Sequence, residues 1–340
     1  MNTAAQSAPS PTAVERSVAV AVGVRGAPVA VVDDWSRATR LGALRRFAFA
    51  ITALNVVGHA WLGFETSWAH PLIAVATAYA LELLFETLDA HAKRRTARYL
   101  EGGFVGFVDF LLSAHISAMA VSMLLYPGER LAPVVFATTV AVASKVLVRV
   151  GTEGRRRHAM NPSNLGISAA LFLFPSVSIA PPYQFTEALL GVGDWIFPGI
   201  LICLGSFLNG RFTHRLPLIA AWLLGFAAQG LVRHALFGTA FVASLVPMTG
   251  IAFLLFTFYM ITDPPTTPSG RSGQIAFGAA TAAVYGVLMS LHVVFGLFFS
   301  LVIVCAVRGS WIATHAWRER LAARLAPARE AGAQETISRS

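Results

Sequence analysis

Five ionisable residues interrupt stretches that are otherwise apolar. Glu82 and Glu86 stand in ATAYALELLFETLDA, Asp109 and His115 in FVGFVDFLLSAHISAMAV, and Lys145 in TTVAVASKVLVRV. An ionised side chain in hydrocarbon costs several kcal/mol unless it meets a partner or a cavity, so each of the five is a candidate functional residue. Glu82 and Glu86, four positions apart, share one helix face. Counted from the basic ends of their segments, Glu86, Asp109 and Lys145 all lie about one turn deep. Two readings follow. Lys145 pairs with the carboxylates and holds three helices in register, or the cluster lines an inner polar vestibule for protons, cations or a cofactor, since one carboxylate remains after Lys145 is paired. Asn55 and His59, and further on Gln229, Arg233 and His234, are weaker candidates, because Arg233 and His234 can snorkel to the surface.

Two loops carry unusual chemistry. In GTEGRRRHAMNPSNLGI, the residues Asn161, Pro162, Ser163 and Asn164 immediately precede an apolar run. Asn or Ser caps exposed N–H groups and Pro suits a first helical turn. The helix end beside Arg157 and its neighbours could hold an anion such as phosphate, or could simply be capped. In FYMITDPPTTPSGRSGQIAFG, Thr262, Asp263, Thr266, Thr267 and Arg271 frame a Pro/Thr segment more rigid than a connection needs. Both loops belong to the same membrane face, so they could form one cytoplasmic-side site. No metal site is expected. The two cysteines, Cys203 and Cys305, lie in apolar runs and supply neither a disulfide framework nor a ligand set.

The elements that position these groups are transmembrane helices. Of 340 residues, 56% are hydrophobic and 13% charged, with a mean hydropathy of +0.64, which excludes a soluble globule. The predicted fold class is all-α, a polytopic helical membrane protein of about ten spans. These lie at about 47–64, 71–90, 104–126, 131–149, 164–181, 195–209, 216–237, 241–261, 275–290 and 292–308. The net charge of +9 does not indicate nucleic-acid binding, because the basic residues occupy alternate loops. Arg37, Arg40, Arg45 and Arg46, then Lys93 to Arg95 and Arg98, then Arg149 and Arg155 to Arg157, then Arg211, Arg215 and Arg271 mark one face. The positive-inside rule makes that face cytoplasmic, with both termini inside an inner (cytoplasmic) membrane. Residues 1–46 form a largely disordered cytoplasmic tail, whose apolar stretch Val18 to Val24 is too short to span. Residues 47–308 form the membrane domain. Residues 309–340 form a second cytoplasmic tail, in which Trp311 to Arg324 suits a short interfacial helix. Only Ser290, Leu291 and His292 separate the last two spans, so a re-entrant pair is an alternative there.

The segment TDPPTTPSGRSGQIAFG, Thr262 to Gly278, resembles the TDP-x-T…GR…FG signature of the RnfD/NqrB family, membrane flavoprotein subunits of ion-pumping electron-transfer complexes. NPSNLGI, Asn161 to Ile167, is similar to that family's NP-containing helix start. A closer likeness is to the RnfD-like UnbU group of enediyne biosynthesis proteins. It is carried by LRRFAFAITALNVVGHAWLGFE, RHAMNPSNLGISAALFLFP, IAPPYQFTE, FLNGRFTHRLPLIAAW and PMTGIAFLLFTFYMITDP. The resemblance covers about residues 45–308 and implies a ten-span core like that of urea channels, built from inverted repeats. It also implies electron transfer, with other membrane electron-transfer subunits and the lipid bilayer as partners.

The family links FMN through phosphate to a threonine in an S-G-A-T-type motif on a long loop after the fifth span. Here that loop runs only from about Pro182 to Asp194, lacks the motif, and has Thr186 as its one threonine. This argues against covalent FMN and leaves a non-covalent flavin open. The first expectation is therefore an electron-transfer accessory linked to natural-product biosynthesis. The alternative is a small-molecule or proton-coupled permease of the same fold, with Glu82, Glu86, Asp109 and His115 along the route.

Overall fold

The architecture follows from lipid acting as solvent. Backbone groups must bond internally, so the apolar runs become helices, and polar turns end them. The structure, a computed structural model, describes residues 37–151, 156–181, 185 and 187–338, with side chains described within 41–322. Thr186, Arg155 and the stretch Val18 to Val24 lie outside the described residues, as do the side chains of Arg37 and Arg40.

In chain order the main helices are α1 (Arg37–Val57), α2 (Ala69–Ala92), α3 (Gly103–Leu124), α4 (Ala132–Leu147) and α5 (Pro162–Leu173). They are followed by α6 (Gly193–Leu208), α7 (Leu216–Phe237), α8 (Phe241–Leu245), α9 (Ile251–Leu255), α10 (Arg271–Ser290) and α11 (Gly296–Ser338). Helices α1, α6 and α9 each continue into a π-helical turn, Gly58–Leu62, Asn209–Thr213 and Phe256–Met260. Two small antiparallel ladders close the ends of the α3–α5 region. Strand β1 (Leu125–Tyr126) pairs with β4 (Ser178–Ile179), and β2 (Arg149–Val150) pairs with β3 (Arg157–His158). Proline opens α4, α5 and α7, where its missing N–H costs nothing. Gly238, at φ 67°, closes α7 in the left-handed region that favours glycine.

Among the described residues, seven helices are long and apolar enough to cross a membrane, and an eighth span results if the pair Phe241–Thr249 and Ile251–Met260, bent by 72°, counts as one. The chain is thus an all-α, multi-pass membrane protein. Two of the expected spans are short: α4 has 16 residues and α5 has 12. At ~1.5 Å per residue these reach about 24 and 18 Å, against a hydrocarbon core of about 30 Å. The remaining length of both segments is drawn into the terminal ladders. Both members of the last hairpin, α10 and α11, have spanning length.

The helix limits also differ from expectation. Helix α1 begins at Arg37, inside the segment read as a tail, because arginines near a helix end can extend to the interface without breaking the helix. No separate interfacial helix follows Arg308, since α11 is continuous from Gly296 to Ser338.

Lipid tails are as apolar as leucine, so packing within the bilayer relies on close approach and polar bonds. Where α2, α3 and α4 meet, the buried residues are small: Ala74, Ala78, Ala114, Ala118, Val134 and Val142. The second half instead centres on an aromatic group in which Trp222 and Phe226 of α7 meet Phe253 and Tyr285. Phe49, Leu72, Phe104, Leu147, Phe172, Leu224 and Val307 are exposed, as a lipid-facing surface requires. Helices α7 and α10 approach so closely that a Cβ on Gly278 would stand 2.5 Å from the Leu218 carbonyl oxygen and 2.9 Å from the Trp222 nitrogen. Gly278→Ala is therefore expected to cost about 1–3 kcal/mol, read as a lower unfolding temperature in detergent. Gly270→Ala, where a Cβ meets nothing within 4 Å, should leave that temperature unchanged.

Candidate functional site

The five intramembrane ionisable residues do not form one ion-paired cluster. Glu86, whose side chain is 1% exposed, is saturated by the loop that follows α2. Arg95 Nη1 donates to Oε1 at 2.6 Å, and Arg98 Nε and Nη2 donate to Oε2 at 2.8 and 2.5 Å. The Arg98 backbone N–H adds a fourth bond, to Oε1, at 2.9 Å. Arg95 also reaches Asp89, and the two carboxylates hold its pKa above the already high guanidinium range. Asp109 is gripped through both oxygens by Arg45 Nε and Nη2, at 2.7 and 2.6 Å. Lys145 pairs with neither carboxylate, which corrects the expected three-helix ion pair. Its Nζ donates instead to Ser113 of α3, to the carbonyl at 2.7 Å and to Oγ at 3.1 Å. These arginines prevail because the planar guanidinium fork matches a carboxylate in two bonds, whereas an ammonium is a point charge. Glu82 is half-buried and makes no hydrogen bond to a described residue. Its charge, with that of Asp263, acts on Lys145.

His115 stands near the middle of α3 and joins three helices. Its Nε2 meets Thr52 Oγ1 of α1 at 2.6 Å, and its Nδ1 meets Tyr79 OH of α2 at 2.9 Å. Thr52 spends its own proton on the Ala48 carbonyl at 2.7 Å, so Nε2 carries the imidazole hydrogen and Nδ1 accepts from Tyr79. Toward the opposite face, Oδ1 of the buried Asn55 lies 3.5 Å from Ser122 Oγ, which donates to the Met119 carbonyl at 3.1 Å. Next comes His59, whose Nδ1 donates to the Asn55 carbonyl at 2.8 Å and whose Nε2 lies 3.2 Å from Thr66 Oγ1. This histidine therefore holds the other tautomer. Beyond it lies His70, fully buried, with neither ring nitrogen bonded to a described residue.

Arg45–Asp109, Thr52–His115–Tyr79 and Asn55–Ser122 thus form successive rungs of a polar ladder between α1, α2 and α3, and His59–Thr66 extends it into the π-helical turn and connection that follow α1. From Arg45 to His59 the ladder rises about 21 Å along α1, at ~1.5 Å per residue. Thr52 and Tyr79 were missed in the sequence because hydroxyls inside a span are unremarkable singly. The available signal was the spacing of Arg45, Thr52, Asn55 and His59, which places them along one face of a helix.

The two unusual loops do come together. His158 Nε2 lies 3.3 Å from Asp263 Oδ2, and Asn161 Nδ2 donates to the Met260 carbonyl at 3.1 Å. Asn161 Oδ1 accepts from the Asn164 N–H at 2.9 Å and from Ser163 Oγ at 3.0 Å, while Asn164 Nδ2 reaches the Phe298 carbonyl of α11 at 3.0 Å. Pro162 opens α5 directly behind this cap. The helix end is therefore closed by its own side chains, which favours the plain-cap reading over an anion site. Arg157 is exposed beside it.

The Pro/Thr segment is equally tied down. The Asp263 carbonyl accepts from the Thr266 and Thr267 hydroxyls at 3.1 and 2.8 Å, and Thr262 Oγ1 donates to the Phe258 carbonyl at 2.7 Å. Arg308 Nη1 binds the Thr266 carbonyl at 2.8 Å, and Arg215 Nη1 binds the Pro268 carbonyl at 2.6 Å. Arg271 is exposed at the start of α10 and takes part in none of these bonds. Both cysteines are free, Cys203 exposed and Cys305 buried. No group of three or more metal-ligating side chains occurs among the described residues. The chain matches no model of a known protein family, and no curated protein matches it.

Proposed function

We propose that the chain is a proton-handling transporter of the cytoplasmic membrane, a proton-coupled permease of small molecules, with the α1–α3 ladder as the proton's route, which conducts under a membrane potential even without cargo. The observation that carries this reading is His115, held near mid-helix between two hydroxyls. A neutral imidazole there accepts a proton at Nδ1 when the Tyr79 hydroxyl rotates away, and releases one at Nε2. Nearer the other face His59 holds the opposite tautomer, between the Asn55 carbonyl and the Thr66 hydroxyl. The basic face is then cytoplasmic, as the arginine loops favour, and Arg45–Asp109 forms the inner mouth.

On this reading the ten apolar segments are ten passes in two halves of opposite orientation, as in the RnfD/NqrB-like fold. Supporting it, α1 and α6 both end in a π-helical turn closed by a left-handed residue, Gly63 at φ 80° and His214 at φ 52°. The second and fourth helices also pack together in each half, α2 on α4 and α7 on α10.

A hydrated route makes a direct prediction. In a Cys203→Ser background, Thr52→Cys and Asn55→Cys should react with a charged, membrane-impermeant methanethiosulfonate. Phe49→Cys, on the exposed face of α1, should not react. Equal inertness at all three positions would mean that the ladder is a dry helix contact.

The second reading is the electron-transfer accessory of RnfD-like type, and the meeting of the NPSNLGI and TDPPTTP loops favours it. Those are the segments that carry the family likeness, and they form one bonded unit at the basic face. A flavin spectrum from purified protein near one equivalent, released by acid, would support it. Colourless protein would remove it.

A further inference from the structure

At the face opposite the basic loops, the end of α7 and the helices α8 and α10 line a cavity of about 160 Å³. Its polar lining is Arg233, Thr239, Ser244 and Tyr285, and its apolar lining includes Pro247 and Met289. Arg233 differs from Arg45, Arg95, Arg98 and Arg308, each of which donates to a carboxylate or a carbonyl. Among the described residues it has neither a hydrogen bond nor an ion pair, and its Nε is buried without a partner. Thr239 Oγ1 is likewise buried and unpartnered. Tyr285, 5% exposed, presents a hydroxyl that bonds no described residue and feels the Arg233 charge. The neighbouring His234 is turned to the Thr239 carbonyl, which Nδ1 meets at 2.7 Å, and no carboxylate lines the cavity.

A half-buried guanidinium beside unpaired hydroxyls lacks only an oxyanion, which accepts from all of them and neutralises the charge. We propose that this cavity binds a phosphate or phosphate monoester group, held by Arg233, Thr239 and Tyr285. Such a group comes either as a free anion or as the headgroup of a phospholipid in the surrounding leaflet. The site is separate from the α1–α3 ladder and stands whether or not that ladder moves protons.

Purified full-length protein tests this in two arms. With inorganic phosphate as the probe, the unfolding temperature of wild type in a zwitterionic detergent should rise by a few degrees, while Arg233→Gln and Thr239→Val show a smaller rise or none. In nanodiscs mixing phosphatidylglycerol with phosphatidylcholine, native mass spectrometry should find one phospholipid retained on wild type and lost from Arg233→Gln. The first result assigns a free anion, and the second a lipid headgroup. Identical behaviour of wild type and both variants in both arms would overturn the proposal. Thr239→Val, a near-isosteric change, keeps the test valid if Arg233→Gln does not fold.

Discussion

His115→Phe is expected to reduce proton movement through the protein to the level of protein-free vesicles while the protein still folds. The imidazole is the mid-helix rung that can both take and give a proton, and a positioned carrier of that kind typically contributes about 100-fold or more to a proton-transfer step. The structural loss is smaller. A phenyl ring in place of the imidazole would leave the Thr52 and Tyr79 hydroxyls without their shared partner, and interhelical hydrogen bonds in lipid average only about 0.6 kcal/mol each. Thermal unfolding in detergent should therefore shift by no more than a few degrees. Tyr79→Phe removes the hydroxyl that donates to Nδ1 but leaves the imidazole and the Thr52 bond that fixes its tautomer, so flux should fall by less. If His115→Phe instead unfolds the protein and Tyr79→Phe leaves flux intact, the triad is a helix clamp and not a route.

Glu86→Gln carries the largest expected effect on stability. The side chain is almost fully enclosed and takes four bonds from Arg95 and Arg98. A glutamine would turn an amide group toward donors and leave the guanidinium groups without their charge partner. Breaking a buried pair from one side costs about 3–5 kcal/mol. The lower end applies here, because the two arginine side chains remain 32% and 62% exposed. The loop from Lys93 to Gly102 should become sensitive to trypsin, and the unfolding temperature should drop. Glu82→Gln, at a carboxylate without a hydrogen bond to a described residue, should change stability by less than about 1 kcal/mol. Loss of activity in Glu86→Gln with an unchanged unfolding temperature would restore the vestibule reading of that residue.

Much of this arrangement was legible in the sequence, because lipid imposes few choices. Each of the ten expected spans contains a helix, the capping residues Asn161 and Pro162 sit where their chemistry requires, and the two polar loops meet. The partners of the buried charges were not legible. Depth along a helix placed Glu86, Asp109 and Lys145 at one level, but depth says nothing about rotation. The helices direct Lys145 to Ser113 and leave both carboxylates to arginines in flanking segments. Those arginines fit a topological pattern so well that their second role was hidden. The shortness of α4 and α5 was hidden too, since two-residue ladders such as Arg149–Val150 with Arg157–His158 leave no periodic trace.

Whether the ladder from Arg45 to Thr66 passes protons is open to direct observation. Wild-type protein is reconstituted in liposomes loaded with a pH-sensitive dye, and valinomycin sets a potassium diffusion potential across them. A conducting ladder acidifies the lumen, driven by the potential and faster than in protein-free vesicles. A signal equal to that of protein-free vesicles, from protein shown to be folded and inserted, would refute the proton route.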